Sequence, residues 1–210
     1  MRTILKRYKY KGGLDIIAPL KCGTRWLEGL DNGSIVHKAD FGLRELSDNV
    51  HSGTTFIYRP VVEHLKSALT TELCMGMDIK SIINGIKFER LNHWSPSMYK
   101  NLYPLWEIHR FKFCSLKELS NITNTSHTLE YTSSNYTFEL PTQWDSIDAV
   151  FESFPHNDIE KLKRAVMNEE MWLSMMVGED SNTINRDKKN FFLTERRSPP
   201  TPSPLTIDII

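Results

Sequence analysis

The sequence predicts a single α/β domain, and three observations lead to this prediction. An apolar run that ends at Pro19 leads through a short polar loop into an amphipathic segment, the pattern of a strand, a tight loop and a helix. The same pattern recurs at residues 54–74. The chain has 210 residues, of which 40% are hydrophobic and 25% charged, and can therefore bury one sizeable core. We place the domain at residues 1–180 and treat residues 181–210, which are polar and rich in proline, as a tail.

Each element is predicted from residue patterning. Runs of β-branched and aromatic residues indicate strands, and apolar residues three and four apart indicate helices. Pro60 suits a first helical position, and Gly76 suits the residue after a helix. A stretch rich in Ser, Thr and Asn at 121–137 predicts a long loop. In chain order we predict an edge strand at 3–10, a core strand at 14–20, a helix at 24–30, strands at 34–37 and 55–58, helices at 60–74 and 78–90, a strand at 105–113, a helix that begins with a capping box at 115–118 and a helix at 158–176.

The first junction has the residues of an anion-binding loop. Lys21, Gly23 and Thr24 lie between the apolar run and the predicted helix. Amide groups at the start of a helix lack intrahelical acceptors and favour a phosphate or sulfate. A lysine supplies a mobile positive charge, and a glycine lets the backbone approach closely. The Walker sequence is absent because the lysine precedes the glycine, so an ATPase or phosphotransferase loop is disfavoured.

The second junction places Arg59 at the end of a predicted strand and Ser67 eight positions later in the following helix. Glu63 and Ser67 are one helical turn apart and share a face.

Together the two junctions resemble the sulfotransferases that use 3′-phosphoadenosine 5′-phosphosulfate (PAPS). In that family a Lys-x-Gly-Thr-x-Trp loop holds the 5′-phosphosulfate, and the matching residues here are Lys21, Gly23, Thr24 and Trp26. An arginine at a strand end and a serine eight residues later hold the 3′-phosphate, matched by Arg59 and Ser67. The resemblance implies a three-layer α/β/α fold with a short, mostly parallel sheet of the P-loop nucleotide-kinase type.

The resemblance also implies an activity, which is transfer of a sulfuryl group from PAPS to an acceptor hydroxyl or, less readily, an amine. Lys21 would neutralise charge on the leaving phosphate. No metal is required by this scheme. The expected donor-binding residues are Lys21, Cys22, Gly23, Thr24, Arg25, Trp26, Arg59 and Ser67.

Three departures from the family pattern favour an alternative, a non-catalytic binding protein with a nucleotide fold. Leu20 separates Pro19 from Lys21, whereas the family has Pro next to Lys. Arg25 stands where a hydroxyl residue is commoner, and the C-terminal Arg-Lys-Gly-x-x-Gly loop of the cytosolic enzymes is not found.

The resemblance offers His37 as the general base, because it ends a predicted strand 22 positions before Arg59. A neutral imidazole can accept the proton of an attacking hydroxyl. Glu28, Asp40, Glu45 and His51 remain alternatives.

Residues 93–96 resemble a His-Trp-x-Pro stretch of the carbohydrate sulfotransferases, which implies that His93 and Trp94 line the acceptor site. The equally open alternative is an aromatic-anchored loop.

Composition limits the partners. Lys plus Arg and Asp plus Glu are both 26, so no nucleic-acid partner is indicated. Three cysteines form neither a disulfide framework nor a zinc set. No apolar run reaches the roughly 20 residues that span a bilayer. We therefore expect a cytoplasmic protein whose partner is a small-molecule or carbohydrate acceptor.

Overall fold

The computed structural model of the chain describes residues 4–29, 33–119 and 140–178. Its five strands are β1 (Ile4–Tyr10), β2 (Asp15–Pro19), β3 (Ile35–Gly42), β4 (Thr54–Tyr58) and β5 (Lys112–Ser115). Its helices are α1 (Thr24–Gly29), α2 (Leu46–Asn49), α3 (Val61–Cys74), α4 (Ile79–Lys87), α5 (Met98–His109), α6 (Ile147–Glu152) and α7 (His156–Val177). Short 3-10 turns occupy Leu43–Glu45 and Leu116–Glu118. The α/β class predicted from the sequence is confirmed.

The strands form one mixed sheet in the order β3-β1-β2-β4-β5. β2, β4 and β5 pair in parallel, whereas β1 is antiparallel to both β2 and β3. The expectation of a mostly parallel sheet is therefore wrong, because the short β1–β2 connection adds an antiparallel half. The prediction of an edge strand at 3–10 is wrong, because β1 lies inside the sheet. A tight turn at Gly12 and Gly13 joins β1 to β2, with the Gly13 N–H donating to the Tyr10 carbonyl at 3.0 Å. Such a short connection permits only antiparallel pairing.

Both faces of the sheet are covered. Leu5, Ile17 and Phe56 point to the larger core, where they pack with apolar residues of α2 to α7. Alternate residues point the other way, as the two-residue period of a strand requires. Tyr8, Ile16 and Ile57 pack on that second face with α1 and with Leu119.

The prediction of a strand at 105–113 is wrong. Met98, Tyr99 and Leu102 are buried at helical spacing, and α5 continues through Pro104 to His109. Arg110 then adopts a left-handed conformation (φ 49°) that ends the helix, and only residues 112–115 pair with β4. The alternation at 106–113 resembled a strand because the end of a helix and the start of a strand lie side by side there.

Other predictions are confirmed. The predicted helix at 158–176 is part of α7, and Ser115 and Glu118 form the reciprocal bonds of a capping box. The predicted loop at 121–137 and the tail at 181–210 lie outside the described residues. Within the described ranges, no helix has the length and apolar character needed to cross a membrane.

Candidate anion-binding site

The loop between β2 and α1 is held in one shape by local bonds. The Cys22 N–H donates to the Pro19 carbonyl at 3.0 Å, and the Leu27 N–H donates to the Gly23 carbonyl at 2.9 Å as α1 begins. Gly23 has φ +85°, where a side chain is strained, and a Cβ there would lie 2.6 Å from Leu116 Cδ1. The left-handed backbone therefore favours glycine, and a Cβ would also displace the ends of the Leu116 and Leu119 side chains.

Two side chains, one from α3 and one from the residue after β4, contact backbone carbonyls of this loop. His64 Nε2 lies 2.9 Å from the Leu20 carbonyl, and Arg59 Nη1 donates to the Lys21 carbonyl at 3.4 Å. Complete burial lowers the pKa of His64 to about 4, so the ring is neutral at pH 7 and Nε2–H donates. Since β2 and β4 are parallel neighbours, their carboxyl ends bring residues 20–24 and 59–60 together.

A cavity of about 400 Å³ opens where these elements meet. Three residues predicted from the sequence line it, each from a different element: Lys21 from the loop, Arg59 from the end of β4 and Ser67 from α3. The remaining lining residues are Glu63, Lys66, Thr70 and Thr71. Sequence reasoning had not assigned Lys66, Thr70 or Thr71 to the site, although their spacing from Ser67 places them within one helical turn.

The cavity is rich in positive charge and hydroxyl groups. Burial, and next the charge of Arg25, lower the pKa of Lys21 to about 8, so its ammonium is still protonated at pH 7. Arg59 is 3.2 Å from Glu63, and Lys66 is 2.8 Å from Asp148. The Thr70 and Thr71 hydroxyls donate to carbonyls of α3 and keep oxygen lone pairs. This arrangement suits an anion that also carries hydrogen-bond donors.

Comparison with known proteins gives no match to a family model, to a curated protein or to a solved structure. Interpretation of the cavity therefore depends on its own residues. Across the described parts of the chain, no group of three or more His, Cys, Asp or Glu is placed to hold a metal ion.

Three other loop residues are less available to a ligand than the sequence suggested. Cys22, Thr24 and Trp26 are buried, and Cys22 and Trp26 belong to the core on the second face of the sheet. Burial raises the pKa of the Cys22 thiol to about 12, so it is not a reactive thiolate. Trp26 is 1% exposed, and an adenine ring therefore has no access to its face. Arg25, in contrast, is exposed.

The structure does not bring His37 to the cavity. His37 is on β3, where it lies opposite Lys9 of β1. Lys9 in turn lies opposite Asp15 at the start of β2. The Lys21 loop follows the other end of β2, four residues or about 13 Å away along the strand. Two strand spacings add about 10 Å across the sheet. His37, the general base that the resemblance implied, is therefore far from Lys21.

The four alternative bases are engaged in other contacts. Burial alone would raise the pKa of Glu28, but hydrogen bonds from Lys38 and Lys6 outweigh it and hold the pKa at about 2. Asp40 lies 3.9 Å from the Lys6 ammonium, and Glu45 accepts the Gly42 N–H at 2.6 Å. His51 is 2.7 Å from Asp15, at the end of β2 away from Lys21.

His93 and Trp94 have different environments. Trp94 is 1% exposed and belongs to the larger core, so it supports the fold and does not line the cavity. His93 Nδ1 lies 2.7 Å from Oε1 of Glu72, a buried carboxylate of α3. Glu72 follows Thr71, which lines the cavity, and its charge also acts on Lys21. Sequence reasoning had not identified Glu72.

Proposed function

We propose that this chain is a sulfotransferase that uses PAPS as donor and a hydroxyl group of a small molecule or carbohydrate as acceptor. The observation that carries the proposal is the meeting of Lys21, Arg59 and Ser67 at one cavity. Lys21 lies 38 positions before Arg59, and the motif requires all three residues to share one ligand. Their convergence meets that requirement.

The cavity residues fit the donor. PAPS carries two anionic groups, a 3′-phosphate and a 5′-phosphosulfate, and the cavity presents separate cations for them. Arg59 and Ser67 would bind the 3′-phosphate, and Lys21 would bind at the 5′ side. A volume of about 400 Å³ lies in the range of small-molecule sites. Among the described residues that line the cavity, Glu63 is the one acid, and a bound phosphate would compete with it for Arg59.

The position in the fold also supports the proposal. In open α/β sheets, ligands bind beyond the carboxyl ends of parallel strands. The cavity lies beyond the ends of β2 and β4, which pair in parallel. A P-loop sulfotransferase fold, with its donor at this edge, is therefore part of the proposal.

Lys21 would supply the main electrostatic contribution to catalysis. During sulfuryl transfer, negative charge builds on the oxygen that bridges sulfur and the 5′-phosphate. A fixed ammonium in a partly buried site stabilises that charge at little reorganisation cost.

Calorimetric titration with 3′-phosphoadenosine 5′-phosphate (PAP), the reaction product, tests the proposal. We expect a Kd of about 1 μM for PAP and binding at least ~10-fold weaker for ADP, which lacks the 3′-phosphate. Arg59→Ala should weaken PAP binding by about 10- to 100-fold, because a charge-assisted contact is lost. The exposed Arg44→Ala is the matched control and should bind PAP like the wild type.

Equal affinity for PAP and ADP would identify a general anion site and overturn the assignment of the 3′-phosphate pocket. Absence of PAP binding would overturn the proposed function and favour a binding protein of another kind.

A further inference from the structure

The proposed reaction needs a group that accepts the proton of the attacking hydroxyl. His37 and His51 lie towards the far end of the sheet, and Glu28 and Glu45 accept hydrogen bonds from other groups. Asp40 lies on β3, two strands from β2, and its side chain pairs with Lys6 at 3.9 Å. The base must come from residues near Lys21. This inference rests on the proposed function and concerns the same site.

Backbone bonds place His93 beside the loop. The Ile4 N–H donates to the Asn92 carbonyl at 2.9 Å, and the Leu20 N–H donates to the Ile4 carbonyl at 3.3 Å. Asn92 and Leu20 therefore flank one residue of β1, and the residues that follow them are His93 and Lys21. The two segments are therefore neighbours at the carboxyl end of β2.

Glu72 fixes the orientation of the His93 ring. The carboxylate is 1% exposed, and its Oε1 is 2.7 Å from Nδ1. A carboxylate can only accept, so Nδ1 carries the hydrogen and the neutral ring has its lone pair on Nε2. The His93 side chain remains 12% exposed, and no hydrogen bond joins Nε2 to any residue of the described chain. The free nitrogen is therefore in the form that accepts a proton.

We propose that His93 is the catalytic base of sulfuryl transfer and that Glu72 is the residue that positions it. The acceptor oxygen forms a bond to sulfur while the bond from sulfur to the bridging oxygen of PAPS breaks. The electron pair of that bond passes to the leaving phosphate, where Lys21 neutralises it. The hydroxyl proton passes to His93 Nε2, and Glu72 stabilises the imidazolium that forms.

The other groups around His93 are consistent with this role. His64 of α3 interacts with His93 but is neutral at pH 7, because burial lowers its pKa to about 4. Lys21 also interacts with Glu72. During the reaction this one carboxylate therefore balances the Lys21 ammonium and the His93 imidazolium. Arg59 also acts on His64 and on Lys21, so the charged and titratable groups on this side of the ring include Arg59 as well as Glu72, His64 and Lys21.

The first test measures PAP formation from PAPS in single turnovers, with water as the acceptor so that no acceptor need be known. We expect His93→Gln to lower the rate about 100-fold or more while PAP affinity changes less than about twofold. Glu72→Gln should cause a smaller loss, because its amide oxygen still accepts from Nδ1. His156→Gln, exposed at the start of α7, is the matched control.

The outcomes separate the two proposals. If the wild type does not bind PAP, the proposed function fails and the base assignment fails with it. If PAP binds and the His93→Gln rate equals that of the wild type, only the base assignment fails. The base assignment also fails if the wild type binds PAP but forms no PAP from PAPS faster than the uncatalysed reaction in solvent. It fails as well if His93→Gln abolishes PAP binding, since His93 would then be needed for the structure of the donor site.

A second test does not use activity. Long-range ¹H–¹⁵N correlation of the imidazole side chains distinguishes protonated from bare ring nitrogens. At pH 7.5 we expect the His93 signal to show a protonated Nδ1 and a bare Nε2. A hydrogen on Nε2 would overturn the assignment, because that nitrogen would have no lone pair to offer.

Discussion

Lys21 combines a partly buried position with a positive charge, and the combination makes donor binding sensitive to pH. Burial and then Arg25 lower its pKa to about 8 in the free protein. The ammonium is present below that pH and is lost above it. We expect PAP affinity to fall about 10-fold or more between pH 7.5 and pH 9.5, because the proposed donor site loses the positive charge of Lys21.

Calorimetry across this range measures the effect, with Lys21→Arg as the comparison. Arginine stays charged at pH 9.5, so its affinity for PAP should stay nearly constant whatever its absolute value. A wild-type affinity that does not change over the range would contradict the place of Lys21 in the donor site.

The residues that line the cavity and those that do not differ in what determines their position. Lys21, Arg59 and Ser67 lie beside turns and helix starts whose local patterns are strong, so their convergence follows from two parallel strands. Trp26 and Trp94 were expected near ligands but are core residues. Whether a tryptophan faces a ligand or a core depends on which helices cover the sheet, and the local sequence does not contain that information.

At the scale of elements, the β2–α1 loop depends on Gly23. Alanine at this position must adopt φ +85° and place its Cβ against Leu116 and Leu119. A left-handed conformation costs a non-glycine residue about 1–2 kcal/mol, and the contact adds to that cost. We expect Gly23→Ala to lower the free energy of unfolding by about 2–3 kcal/mol in urea titrations and to weaken PAP binding.

Gly76 provides a matched control for this effect. It has the same φ of +85°, but a Cβ there would meet nothing within 4 Å. Gly76→Ala should therefore show the backbone cost alone, about 1–2 kcal/mol, with unchanged PAP affinity. If both variants lose the same stability and keep PAP affinity, close packing at Gly23 does not shape the site.

Element prediction succeeded where one period dominates and failed where two elements meet. The α3 and α7 helices have long runs of apolar residues at helical spacing, and both were predicted close to their observed bounds. The 105–113 segment contains the end of α5, a left-handed Arg110 and the start of β5, so a single period could not describe it. His64 and Glu72 were missed because polar residues buried in a helix resemble its exposed face until their partners in other segments are known.

At the scale of the whole molecule, burial of His64 makes folding sensitive to acid. Its pKa is about 4 when folded and near 6.5 when unfolded, so the unfolded chain takes up a proton that the folded chain excludes. Stability therefore decreases as the pH falls from 6.5 to 4, by about 3 kcal/mol. Glu169 has the opposite effect on stability, because burial raises its pKa to about 7 and the folded chain binds the proton more tightly than the unfolded chain does.

Urea unfolding of variants separates these two contributions. The stability advantage of the wild type over His64→Gln should shrink by about 3 kcal/mol between pH 7.5 and pH 4. The stability of the wild type relative to Glu169→Gln should instead rise as the pH falls from 7 to 4.5. A His64→Gln difference that is constant with pH would mean that the buried ring does not resist protonation.

The two backbone bonds of Ile4 have a practical consequence for anyone who alters the start of the chain. One residue of β1 holds both the segment before Lys21 and the segment before His93. Removal of Ile4 would take away both of these bonds at once. Inactivity of a variant without Ile4 would therefore say little about the chemistry of Lys21 or His93.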